Sequence, residues 1–276
     1  MSDAALPGGS LAAVPRAPAP PARFERPSPL AFLVSLVALA FLAIAVDGVG
    51  VSPGEFVRGF PGIGRMLAQM VPLDLSRLAF VGRALLETFQ MAVVGTVFGI
   101  AWALPLAIVA TRSQTPHPIL YYTTRGFISF ARTVPDLIWA LVFVIAVGLG
   151  PFAGMLAIMV DTIGFCGRFF AESMEEVDRG PQEALESIGA SRLGTVVCAV
   201  LPAALPALIN TALYSVEKAT RASVVLGLVG AGGIGIELKV AMDMFSYDQA
   251  ATIILAVFAL VFGVEQVSAR LRRQIL

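Results

Sequence analysis

Few residues in this chain could do chemistry, and they stand out because of where they lie. Of 276 residues, 57% are apolar and 14% charged, and the mean hydropathy is +0.84. A charge in such surroundings is costly unless it meets a partner, water or a charged ligand. Asp161 falls in the middle of an apolar run, and Glu217, Lys218 and Arg221 stand together beside a glycine-rich passage. Arg221 and Lys218, with the hydroxyls of Thr220 and Ser223, could escort an anion through an apolar barrier, because an oxyanion needs cationic or N–H donors along its way. The alternative is structural: Glu217 pairs with Arg221 four residues on, and the two hold the segment. Asp161 could pair with Arg221 or Lys218, repel an anion until a change of state removes it, or bond to a neighbouring helix. No catalytic residue and no metal site is assigned. His117 is the only histidine and has no second ligand near it. Cys166 and Cys198 lack CxxC or CxxH spacing and read as small buried apolar residues.

The glycine-rich passage invites a cofactor reading. Gly230-Ala-Gly232-Gly-Ile-Gly235 fits GxGxxG after a strand-like Val-Val-Leu, with Asp243 following. That fingerprint needs a βαβ unit, and spanning helices flank it here instead. GxxxxGK[ST] is absent from the sequence, so the chain is expected to bind no ATP or Mg itself. Glu217–Glu237 is read as backbone too broken by glycine for an ordinary spanning helix, tolerated at membrane depth where it is buried or lines a cavity. Gly227, Gly230, Gly232, Gly233 and Gly235 would let it bend and pack closely, as a gating loop must.

A second polar insert runs from Gly180 to Pro202. Pro181 suits a first helical residue, Glu183 falls in the first turn, and Gly189 supplies a left-handed stop. The spacing predicts a helix over 181–188. About eight residues span roughly 12 Å and are marginal alone in water, so the helix must pack on something. Leu185 and Ile188, three apart, share one face, with Glu183 and Glu186 on a neighbouring one.

The elements that position these groups are membrane spans. Residues 1–29 are rich in Ala and Pro and read as a disordered tail. Leu30–Val46 is a first span, and residues 47–83 form an external loop with short interfacial helices. Further spans are expected over 89–110, 133–150, 151–170, 193–216 and 249–267, with an interfacial helix at 119–132. This gives an all-α integral membrane protein of about six transmembrane helices, divided as tail 1–29, first helix and external loop 30–82, and transmembrane domain 83–276. If the N-terminus is cytoplasmic, twelve of the 19 basic residues lie on the inside, which favours both termini in the cytoplasm. The same choice places the Glu183 insert there.

Glu183-Ala-Leu185, Gly189 six residues after the Glu, and Leu201-Pro202 resemble the cytoplasmic EAA loop of permease subunits in ATP-binding-cassette importers. Leu185 replaces the usual second Ala, and Ala199 stands where a branched aliphatic is common. Leu213-Tyr214, Glu217 and Arg221-Ala-Ser-Val-Val-Leu-Gly-Leu-Val-Gly-Ala-Gly-Gly-Ile-Gly235 are similar to the membrane subunit of phosphonate importers, a group that also takes up phosphite and related oxyanions. The resemblance implies a MetI-like permease core in a bacterial inner membrane. It implies a coupling loop at 175–202, with Glu183, Ala184, Leu185, Ile188, Gly189, Ala190 and Ser191 meeting an ATPase. The implied partners are a second copy, two ATPase subunits that bind ATP and Mg, a periplasmic binding protein and lipid, but no nucleic acid. A methionine or sulfonate permease is the nearest alternative within the class. A secondary transporter is the alternative outside it, and it would need more intramembrane carboxylates or an inverted repeat.

Overall fold

A computed structural model of the chain describes residues 28–50 and 52–275; the tail expected over 1–29 lies, as far as residue 27, outside the described residues. The chain divides into two compact units, Met1–Phe60 and Pro61–Leu276. Every described element is a helix: α1 (Pro29–Gly48), α2 (Pro53–Gln69), α3 (Leu78–Ala110), α4 (Pro118–Thr133), α5 (Asp136–Val147), α6 (Pro151–Glu175), α7 (Gly180–Ser187), α8 (Arg192–Thr195), α9 (Leu201–Gly227), α10 (Ile234–Asp243) and α11 (Tyr247–Ile275). Five are long and apolar enough to cross a membrane, counting α8 to α9 as one, or six if the bent pair α4 and α5 is one span.

α1 begins where Ser28 accepts the Ala31 N–H at 3.2 Å and Pro29 opens the first turn. Its 20 residues reach about 30 Å, one hydrocarbon thickness. α2 is one helix in the segment expected to hold short interfacial ones.

In the larger unit α3 and α6 form the central pair. Ala92, Gly95, Gly99, Ala103 and Ala107 line the buried face of α3. A Cβ at Gly95 would lie 2.8 Å from the Met155 carbonyl oxygen, and one at Gly99 would lie 2.5 Å from the Thr162 Cβ. Small residues thus bring two backbones close where no water drives them together. Buried Ala103, Ala107, Phe170, Met174, Val200 and Ala204 close the α7 end of the bundle. Met91, Ala157, Ile158 and Leu226 fill its middle. Val81, Ile234, Ala241 and Ile253 close the opposite end, where Thr252 also ties α11 to the Asp74 carbonyl at 2.9 Å.

Several expectations need correction. The span over 133–150 is a helix of 12 residues, about 18 Å and too short to cross alone. Pro135 is outside it, because the residue before a proline is driven extended, and Val134 adopts φ −75, ψ 121. α4 meets α5 at 91°. Along its length α4 buries Thr124, Ile128 and Ala131.

The fifth span does not stop near Val216. Helix runs from Arg192 to Gly227 over 36 residues, with a π-helical stretch at Val196–Val200 just before Pro202. A wider turn there accommodates the missing proline N–H. Glu217–Leu226 contains no glycine and is helical, so the passage expected to be broken bends only between Leu228 and Gly233. Cys166 is buried as expected, but Cys198 is exposed.

Candidate functional site

The short helix predicted over 181–188 is α7, Gly180–Ser187. Gly189 adopts φ +83, and the Gly189 and Ala190 N–H groups donate to Glu186 and Leu185 carbonyls at 3.0 Å each. Both the stop and its glycine are therefore as the spacing required. Glu183 and Ala184 are exposed and Leu185 half-buried. Ile188 is 81% exposed, and Leu193 just beyond is 69% exposed. Ala190 is half-buried, and Ser191 caps α8 by accepting the Gly194 N–H at 3.2 Å.

What holds α7 is a residue the sequence reading passed over. Gln182 is buried, and its Oε1 accepts from Gln114 Nε2 at 3.3 Å, while its own Nε2 donates to the Asp178 carbonyl at 3.3 Å. Gln114 sits in the turn after α3, so the amide pair joins α7 to the end of the central helix. Beside it Glu175 accepts the Arg112 N–H at 2.9 Å and Arg125 Nη2 at 2.8 Å, and Arg125 Nε donates to the Ala110 carbonyl at 3.0 Å. The ends of α3 and α6 and the middle of α4 are thereby tied into one base, around a cavity of about 570 Å³ that opens onto Arg112, Arg179, Glu183 and Glu186.

The intramembrane charges sort themselves differently from the local expectation. Lys218 Nζ donates to both Asp161 oxygens at 2.8 Å and lies 5.0 Å above the Phe165 ring. Glu217 and Arg221 do not pair with each other. Arg221 binds Glu265 of α11 at 2.6 Å, and Glu217 binds Arg272. Each pair joins two helices, where a local i,i+4 pair would join none. Thr220 and Ser223 are fully buried; their hydroxyls donate to the Val216 carbonyl at 2.8 Å and the Thr220 carbonyl at 2.9 Å. Back-bonding of this kind uses both hydroxyl protons within α9 itself. Arg221, by contrast, has a side chain 44% exposed and stands on the same face of α9 as Tyr214, Lys218 and Val225. A charged stripe at membrane depth must face protein or water.

The five glycines gather around the turn from α9 to α10. Gly230, Gly232 and Gly233 have φ of +91, +87 and +74, a region side chains avoid. The Gly150 N–H donates to the Gly230 carbonyl at 3.0 Å. Gly233 cannot cap α10, so acceptors come from α3: Glu87 takes the Gly233 N–H at 2.9 Å and Thr88 the Ile234 N–H at 2.7 Å. Neither was foreseen. Among the described residues no strand flanks the GxGxxG match, which leaves it a helix–turn–helix.

Taken together, a polytopic helical bundle, a small exposed helix tied to its base and ion pairs at membrane depth describe a transport subunit. The chain belongs to the family described as binding-protein-dependent transport system inner membrane component, whose model matches residues 95–273. It is 39% identical over 245 residues to the putative phosphite transport system permease protein HtxC of Stutzerimonas stutzeri, covering 89% of this chain and 87% of that one. It is 37% identical over 244 residues to the phosphate-import permease protein PhnE of Mycolicibacterium smegmatis, covering 88% of this chain and 45% of that one; it thus spans less than half of that relative. Its fold is like that of an inward-facing MetNI methionine ABC transporter chain, with a TM-score of 0.65 and 22% identity over 74% of this chain and 100% of that one. The chain is a multi-pass permease with a MetI-like fold.

Proposed function

We propose that this chain forms the translocation path of an ATP-driven importer for a phosphorus oxyanion: phosphonate, phosphite or phosphate. Two copies enclose the path, and two ATPase subunits, which bind ATP and Mg, press on α7 of each copy. A periplasmic binding protein delivers the ligand at the glycine-rich end. Both termini then lie in the cytoplasm, on the side of α7. The observation that carries this reading is the exposure of Ile188, a large apolar residue between the apolar spans, with exposed Leu193 opening the span that follows, next to acidic side chains on a helix too short to stand alone. Such a patch is an interaction site waiting for its partner, and the Gln114–Gln182 pair gives it purchase on α3. Movement of α7 would then turn the spans as a rigid body. Phosphorus is favoured as cargo by the relationship to the phosphite permease over nearly the whole chain.

The test is reconstitution with the ATPase and binding protein. Ile188→Asp and Glu183→Ala, like any replacement of Gly189, are expected to insert normally yet cut uptake of phosphite or a phosphonate at least about tenfold, as loss of a central interface anchor does. Normal uptake by these variants would sink the docking role. Stimulation of ATP hydrolysis by methionine or a sulfonate, and by no phosphorus oxyanion, would sink the cargo.

The amide pair allows a finer measurement. A neutral hydrogen bond contributes about 1 kcal/mol, so Gln182→Ala is expected to lower the ligand imported per ATP hydrolysed by roughly fivefold. Gln114→Ala should do the same, and the double variant no more than either alone, because the two act as one unit. Additive losses would show that they do not.

A further inference from the structure

We propose that Arg132 is the ligand-contacting cation at the middle of the path, a role that rests on the importer reading above. Arg132 closes α4, where the chain turns by 91° into α5. Its backbone is pressed onto α6: a Cβ at Gly164 would lie 2.7 Å from the Arg132 nitrogen and 3.0 Å from its Cα. Gly164 is the fourteenth residue of a helix of 25, about 20 Å from one end and nearly as far from the other. That is close to the centre of a hydrocarbon layer about 30 Å thick.

The other cations near this depth are already committed, Lys218 to Asp161, Arg168 to Glu172, Arg221 to Glu265 and Arg272 to Glu217. Arg132, among the described residues, has no carboxylate partner; Asp136, four residues on and across the bend, instead accepts the Leu137 N–H at 3.0 Å. The guanidinium lies 5.3 Å from the Phe169 ring centre. Phe169 packs on Phe165 at 4.8 Å, and Phe165 carries Lys218 on its face. The result is an aromatic floor with a cation over each end, one neutralised and one exposed. An unpaired arginine at the bilayer centre is costly unless water or an anion meets it. Its planar fork matches two oxygens of a tetrahedral phosphorus oxyanion, and the rings keep water away from one side of that contact.

Arg132→Gln and Arg132→Lys would be reconstituted with ATPase and saturating liganded binding protein. Isotopically labelled phosphite and phosphate are the probes, in vesicles of phosphatidylcholine alone and with added phosphatidylglycerol. The Gln variant is expected to import about tenfold fewer ions per ATP hydrolysed, and the Lys variant, which keeps a point charge and loses the fork, to fall between. Damage that is merely structural lowers uptake and hydrolysis together and leaves that ratio alone. Wild-type ratios in both variants, an effect seen only with the anionic lipid, or failure of both variants to assemble would overturn the assignment and leave the importer reading intact. A wild-type complex that carries neither probe but carries another solute would instead overturn the importer's cargo.

Discussion

Gly235→Ala is expected to prevent a stable bundle from forming, although it adds a single methyl group. That methyl would lie 2.1 Å from the Val224 carbonyl oxygen and 2.8 Å from the Gly227 Cα. Both are backbone atoms of α9, which cannot swing aside as a side-chain tip would. The reverse change meets the same obstacle, since a Cβ at Gly227 would lie 2.7 Å from the Gly235 Cα. The two glycines let the end of α9 and the start of α10 touch, and that contact fixes the turn through which Glu87 and Thr88 reach the α10 N-terminus. Ordinary overpacking costs about 1–3 kcal/mol, and a clash with rigid backbone exceeds it. The measurement is recovery of monodisperse protein after detergent extraction, with Gly82→Ala as control. Nothing lies within 4 Å of a Cβ at Gly82, so that change, in a helix, should stabilise by roughly 0.5–1 kcal/mol. Equal recovery of the two variants would show that α9 and α10 do not meet in this way.

The same turn shows what could and could not be read from the chain. Glycine at 227, 230, 232, 233 and 235 announced a close, bent passage, and each now has a contact or a positive φ that requires it. The stretch before it was misjudged because Glu217, Lys218 and Arg221 looked foreign to a span. Their partners Asp161, Glu265 and Arg272 lie 44 to 57 residues away, and helix pairing across such distances leaves no local pattern. α7 was legible for the opposite reason, since Pro181 and Gly189 write its ends into eight residues. Pro135 was ambiguous: it suits the first turn of a long span and equally the break before a short one, and packing of α4 on α6 decided for the break. Gln182 and Gln114 carried no signal at all, because a glutamine in or beside a short exposed helix looks the same whether it faces water or a partner.

Lys218→Met is the substitution at membrane depth with the largest expected cost. Asp161, with its side chain 16% exposed, would lose both of its bonds to the ammonium, and an ionised carboxylate stranded in a low-dielectric interior costs roughly 3–5 kcal/mol. Removing both charges, as Asp161→Asn with Lys218→Met, should restore assembly, because a well-packed neutral pair often equals the ion pair it replaces. Asp161→Asn alone should be milder, for Lys218 is more exposed than its partner and keeps the Phe165 face beneath it. Yield of assembled complex therefore orders the variants as wild type and double above Asp161→Asn above Lys218→Met, and any other order contradicts the pairing. Uptake by the double variant then separates two roles that assembly cannot. If Lys218 only holds α6 to α9, transport returns with the fold. If the ammonium leaves Asp161 to meet the passing anion, the double variant assembles but carries little, since the neutral pair restores the packing and not the charge.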